Sequence, residues 1–181
     1  MNKILNKNFF NRETEKVAKD LLGKFLVRKI NGKETSLMIT EVEVYDGLKD
    51  KASHASKGRT KRNEVMFSHP GTFYVYLCYG MYFMLNIVTR EKDYPAAILI
   101  RGAKNNEINL NGPGKLTKFF KINKNLNNKL AEKSSDLWFE DRGVKINKSK
   151  IKETPRIGVS YAGPHWSTKK LRFVLDGNLD F

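Results

Sequence analysis

Apolar positions along the chain change period several times, and each change predicts an element. Over residues 13–22, Val17, Leu21 and Leu22 fall on one side of a helix that Gly23 ends. Residues 25–30 and 37–45 alternate as strands, and "NGK" between them is a hairpin-turn signal. After the breaker His69-Pro70-Gly71 come two more strand-like runs, residues 72–79 and 81–88, punctuated by Gly80; another covers 96–102. In "GPGKLTKFFKI", Leu116, Phe119 and Phe120 return to helical spacing, with Pro113 in the first turn. Residues 123–152 are polar and read as loop with short helix, whereas "PRIGVSYAG" and "LRFVLDG" read as further strands. Many strands, few helices and tight turns predict an α+β fold. The expectation is a single domain over residues 1–181, a curved, largely antiparallel sheet with peripheral helices.

The strand over residues 37–45 carries the first chemistry. Alternation puts Leu37, Ile39, Glu41, Glu43 and Tyr45 on one face and Met38, Thr40, Val42 and Val44 on the other, which is apolar enough to meet a core. Glu41 and Glu43 then lie roughly 7 Å apart, close enough to raise at least one pKa unless cations intervene. This pair is either a solvent-facing salt-bridged pair or one wall of a reaction site. The next strand, "TFYVYLCYGMYF", holds Tyr74, Tyr76, Tyr79 and Tyr82, with Tyr74 and Tyr76 on the same side and Tyr79 beside a turning glycine. Tyrosines there suit half-buried packing, stacking on an unpaired base, or wedging between base pairs.

Charge changes the picture. The 181 residues contain 34 Lys+Arg against 19 Asp+Glu, a formal +15, which points to a polyanionic partner, nucleic acid first. A lysine-rich compositional bias is the competing explanation, but the run Lys57, Arg59, Lys61, Arg62 lies next to the aromatics. One cysteine, Cys78, and the scattered His54, His69 and His165 give no metal-ligand spacing, so neither metal nor cofactor is expected. No apolar run approaches the roughly 20 residues that span a bilayer, and no signal-peptide pattern opens the chain. The expected location is cytoplasmic, intracellular and nucleoid-associated. Basic and aromatic residues alone would make a nucleic-acid-binding module. The acidic pair adds a removal of a base from its sugar, which requires the nucleotide to leave the stack. A polysaccharide hydrolase fits less well: the two carboxylates share one strand face rather than flanking a sugar bond.

Several separated motifs in register, "ITEVEVYDG", "SHASKGRTKRNEVMF", "PGTFYVYLCYGMYFMLNIV", "AAILIRG", "NGPGKLTKFFKINK" and "PRIGVSYAG…LRF", resemble the alkyladenine (3-methyladenine) DNA glycosylase family over almost the whole chain. The resemblance implies a monomeric enzyme without cofactor, acting on double-stranded DNA containing damaged purines. It implies Glu43 as general base on water and Arg101 as the arginine that helps hold that water and keeps Glu43 ionised, with the carbonyl of Ile157 as a third contact. Tyr45, His54 and Tyr76 would enclose the extruded base, and Asn86 would disfavour the amino group of guanine. Tyr79 would be the minor-groove wedge, and Arg59, Arg62 and Lys115 would contact DNA. Relative to the family form, the loop after His54 is one residue shorter and the segment before Trp166 is altered. Glu41 fits the pattern as a salt-bridge partner, and Cys78, His69 and His165 as structural or surface residues.

Overall fold

The computed structural model describes residues 2–176. The first half runs through β1 (Lys3–Ile4), α1 (Lys7–Phe10), α2 (Thr14–Leu21), β2 (Phe25–Ile30), β3 (Lys33–Asp46), β4 (Phe73–Cys78) and β5 (Tyr82–Val88). It continues through β6 (Ala96–Lys104), β7 (Asn109–Asn111), α3 (Pro113–Phe119), β8 (Leu137–Asp141), β9 (Ile151–Thr154), α4 (Pro164–Thr168) and β10 (Arg172–Leu175). All strand pairings are antiparallel, in the order β1-β8-β2-β3-β6-β5-β4. The fold is thus α+β, an open curved sheet with short helices around it. The 14-residue β3 is its spine. Its first half pairs with β2, its second half with β10, and β6 runs along its other edge.

Local chemistry explains the elements. Val17, Ala18 and Leu21 bury one face of α2, and Gly23 turns the chain away at φ 84°. Asn31 and Gly32 both adopt positive φ (50° and 80°), the conformation of the two-residue turn that matches strand twist. Pro113 opens α3 at its first turn. The core joins α2, both flanks of β3 and the inner faces of β2, β5, β6, β8 and β10.

Three departures from the sequence reading have physical causes. The polar stretch 123–152 contains β8, "LWFED", whose Leu137, Trp138 and Phe139 are fully buried against β2. Lysines and asparagines on either side mask so short a strand. "PRIGVSYAG" is not a strand: positive φ at Gly158 (76°) and Gly163 (83°) breaks the extension, and Ser160–Ala162 form a 3₁₀ turn. Along β3 the simple alternation fails, because Leu37, Met38 and Ile39 are all buried in the core together with Val42 and Val44. The β3–β6 register skips Thr40 on one strand and Arg101 on the other. These irregularities reset the pleat between Ile39 and Val42. Of the last strand-like run, residues 172–175 form β10, while Gly177 lies outside the described residues.

Phe139 packs between the rings of Phe10 and Phe73. Its truncation to alanine is expected to cost about 3–5 kcal/mol, read from urea unfolding midpoints.

Candidate active site

The sheet irregularity is what builds the site. Beyond it, Glu41, Glu43 and Tyr45 project away from the core, while Arg101, passed over in the register of β6, turns its guanidinium towards them. Close approach of the strands is possible because residue 102 is glycine: a Cβ there would lie 3.0 Å from Glu41 Cβ and from Thr40 Oγ1. The arginine–glycine pair of "ILIRG" therefore works as one device.

Glu43 is fully buried, and three donors converge on it. The Ile157 amide donates to Oε1 at 2.8 Å, the Tyr45 hydroxyl to Oε2 at 2.9 Å, and Arg101 Nη1 to Oε2 at 3.4 Å. Ile157 thus reaches Glu43 through its N–H. A carboxylate offers about four acceptor positions, so one remains. Arg101 Nε also donates to Glu41 Oε1 at 2.8 Å, and Arg172 Nη1 reaches the same oxygen at 2.9 Å. Glu41 is the salt-bridge partner the sequence suggested, and it fixes the direction of Arg101.

Burial dominates the electrostatics of Glu43. Burial raises the Glu43 pKa, and the opposing pulls of Arg101, the Ile157 amide and the Tyr45 hydroxyl do not cancel it. Arg101 acts in the expected sense, but it is shared with Glu41, and its contact with Glu43 is the longer of the two.

Tyr45, Arg101 and Ile157 all line one open cleft of about 1030 Å³, together with His54, Arg62, Tyr76, Tyr79 and Tyr161. A narrower recess of about 50 Å³ continues behind it, between Tyr45, His54, Met66, Tyr74, Tyr76, Asn86 and Tyr161. His54 stands edge-on to Tyr76 at 4.6 Å, and its Nδ1 lies 2.9 Å from the Tyr74 hydroxyl. Burial, and then the charge of Arg62, lower the His54 pKa and so favour the neutral imidazole. Burial pushes Tyr74 up to about 12 and raises Tyr45 and Tyr76 as well, so the walls present neutral hydroxyls. Asn86 is buried at the back, its amide nitrogen donating to the carbonyls of Tyr74 (3.1 Å) and Met84 (3.4 Å).

Tyr79 caps the β4–β5 hairpin with 88% of its surface exposed and φ 50°, a left-handed conformation uncommon for a bulky residue. Met81 beside it is also exposed. The hairpin is braced by α3: the Cα of Gly114 packs so closely on Tyr82 that a Cβ would lie 2.9 Å from its ring.

The structure therefore brings together Glu43, Arg101, Tyr45, His54, Tyr76, Asn86, Ile157, Tyr79 and Arg62. Lys115 is exposed on α3, its Nζ donating to Asn111 Oδ1 at 2.9 Å, and does not line the cleft, although Pro113 of the same helix does. Arg59 stands apart, ion-paired with Asp93 and stacked over Phe67 at 4.4 Å, and does not line the cleft. Sequence reasoning missed Tyr161 and a buried pair, Asp50 and Arg156. Arg156 donates to both oxygens of Asp50 (2.6 and 2.9 Å) and to the Val44 carbonyl (2.8 Å), and lies 4.8 Å from the centre of the Tyr45 ring. It ties the loop carrying Ile157 to the loop carrying His54. The partners are 106 residues apart, and no local signal marks them. Tyr74 was legible, since it shares the side of Tyr76. Among the described residues no group of three or more His, Cys, Asp or Glu is placed to hold a metal ion, and no helix is long and apolar enough to cross a membrane.

A buried carboxylate beneath an aromatic recess, beside an exposed aromatic in a basic protein, is the equipment of an enzyme that works on one base of a nucleic acid. Comparison with known proteins gives the family. Residues 8–179 match methylpurine-DNA glycosylase (MPG), and the chain belongs to that family, whose members are hydrolases of N-glycosidic bonds in DNA repair. A relative from Methanocella arvoryzae is 46% identical over 177 residues, covering 88% of this chain and 86% of its own. One from Wolbachia pipientis wMel is 44% identical, covering 97% and 96%. Another, from Legionella pneumophila (strain Paris), is 42% identical, covering 98% and 97%. Each bears the name "Putative 3-methyladenine DNA glycosylase".

The raised Glu43 pKa carries a stability signature. Relative to the unfolded chain the fold favours the protonated form of Glu43, so its contribution is fully present below the ordinary carboxylate pKa of about 4.3. The contribution is lost as pH rises through the raised folded value. Wild-type stability relative to Glu43→Gln is therefore expected to fall as pH rises above about 4.3 and to level off once the raised folded-state value is passed, measured by urea denaturation of both proteins.

Proposed function

We propose that the whole chain, residues 1–181, acts as one monomeric glycosylase domain on double-stranded DNA in the cytoplasm. It extrudes a damaged purine and hydrolyses its bond to deoxyribose. The substrates are alkylated and deaminated purines: 3-methyladenine, 7-methylguanine, hypoxanthine and ethenoadenine. The observation that carries this reading is the placement of Glu43 directly behind three cleft-lining donors, with one acceptor position unused.

The roles follow from position. Tyr79, held outward by the hairpin turn, enters the stack and occupies the gap left by the nucleotide. Unstacking costs a few kcal/mol, least for a damaged or mismatched base. The extruded purine enters between Tyr45, His54 and Tyr76, where electron-rich rings favour a cationic alkylpurine by about 0.5–2 kcal/mol. Asn86 at the back of the recess opposes the amino group of guanine. Arg62 and Lys115 contact the phosphate backbone.

Water reaches Glu43 from the cleft, between Arg101 and Ile157. Its oxygen bonds to C1′ as the glycosidic bond breaks and Glu43 takes the water proton; a cationic alkylpurine leaves with the bonding electrons as the neutral base, whereas a neutral purine leaves as its anion and takes a proton from solvent. The negative carboxylate also favours the positive charge that develops on the sugar. Products are an abasic site and a free base, with no covalent lyase step.

Glu43→Gln keeps the shape and most hydrogen bonding but removes the base. Its single-turnover excision of 7-methylguanine from a duplex is expected to fall by about 10²–10⁴-fold, with binding to the same duplex retained. Excision at the wild-type rate would sink the assignment.

A further inference from the structure

We infer that Tyr161 is a further substrate-binding residue, the outer wall against which the extruded nucleotide packs; this rests on the base-extrusion reading above. The 3₁₀ turn Ser160–Ala162 buries its two neighbouring small residues, Val159 and Ala162, against Ala52, with Tyr45 and Trp166 alongside. Tyr161 instead faces outward, 69% exposed. Yet it is not loose: its hydroxyl donates to the Ala52 carbonyl at 2.9 Å. The ring lines the narrow recess with Tyr76 and Asn86, and the open cleft with Tyr79 and Ile157. It thus spans the mouth between the base wall and the hairpin tip.

An aromatic face fixed before binding loses little conformational freedom on contact. Tyr161 also comes from the loop whose Ile157 amide holds Glu43, so a nucleotide resting on the ring is registered against the catalytic carboxylate. The hydroxyl joins this loop to the loop that leads into His54, so both sides of the recess mouth are held at one spacing. A purine ring stacked on such a face gains about 5–100-fold in affinity.

The test uses the full chain in a Glu43→Gln background, where the duplex stays intact. Fluorescence anisotropy gives the ratio of affinities for a 7-methylguanine duplex and the same unmodified duplex. Tyr161→Leu, similar in bulk but without an aromatic face, is expected to lower this ratio about 5–100-fold. Tyr161→Phe, which keeps the aromatic face and removes only the hydroxyl bond, is expected to lower it by less than Tyr161→Leu does. A parent with no preference, a Tyr161→Leu protein that keeps it, or a Tyr161→Phe protein that loses as much as Tyr161→Leu would each overturn the inference. Failure of the Glu43 assignment would appear separately, as base release by the Glu43→Gln protein.

Discussion

One buried carboxylate and the donors that hold it set the terms for the rest of this structure. Glu43 has no exposed surface, and an ionised group so placed is tolerated only when paired and hydrogen-bonded. Its three donors come from β3 itself, from β6 and from the loop after β9. The site therefore exists only when three distant parts of the chain are folded together. Glu41, Glu43, Arg101 and Arg172 together carry no net charge. Within that quartet the shorter Arg101 contact goes to Glu41, and burial raises the Glu43 pKa against the pull of the longer one.

The surroundings read as support for this arrangement. The irregular β3–β6 register turns Arg101 inward, and Gly102 lets the strands approach closely enough for it to do so. The buried Asp50–Arg156 pair secures the two loops that face each other across the recess. Such a pair is weak evidence of stability, since its desolvation offsets much of its attraction; its service is to fix geometry. Arg156 precedes Ile157 and packs on Tyr45, two of the three groups that touch Glu43. At the hairpin tip the chain carries a different cost, a tyrosine in left-handed conformation. Strain of that kind persists where the surrounding fold imposes it, and here α3 packs against the hairpin from behind.

Much of this was legible in the sequence, for local reasons. Helical spacing marked α2, the Asn-Gly turn marked β2–β3, and the tyrosine-rich run marked the hairpin with Tyr79 beside its turning glycine. Glu43, Tyr45, Tyr76, His54 and Arg101 lay within motifs that a family resemblance could align. What stayed hidden depends on contacts between distant segments. The strand at residues 137–141 is defined by burial against β2, not by its lysine-rich flanks. The register irregularity at Thr40 and Arg101 is a property of two strands and cannot be seen on one. Asp50 and Arg156 look like ordinary surface charges until the fold buries them. Arg59 gives no sign within its basic run that it pairs with Asp93 and lies over Phe67. The weight of burial at Glu43 was likewise out of reach, since it depends on contacts from distant segments such as the Ile157 loop.

The central claim is that Glu43 works ionised in a site that burial makes hostile to charge. Titration of its side-chain carboxyl by ¹³C NMR, assigned against the Glu43→Gln protein, tests this most directly when paired with the pH dependence of base release. The account predicts a midpoint above the ordinary carboxylate range, with the acidic limb of the excision rate at the same pH. A carboxyl that remains protonated throughout the active range, or excision that continues unchanged below its titration, would contradict it.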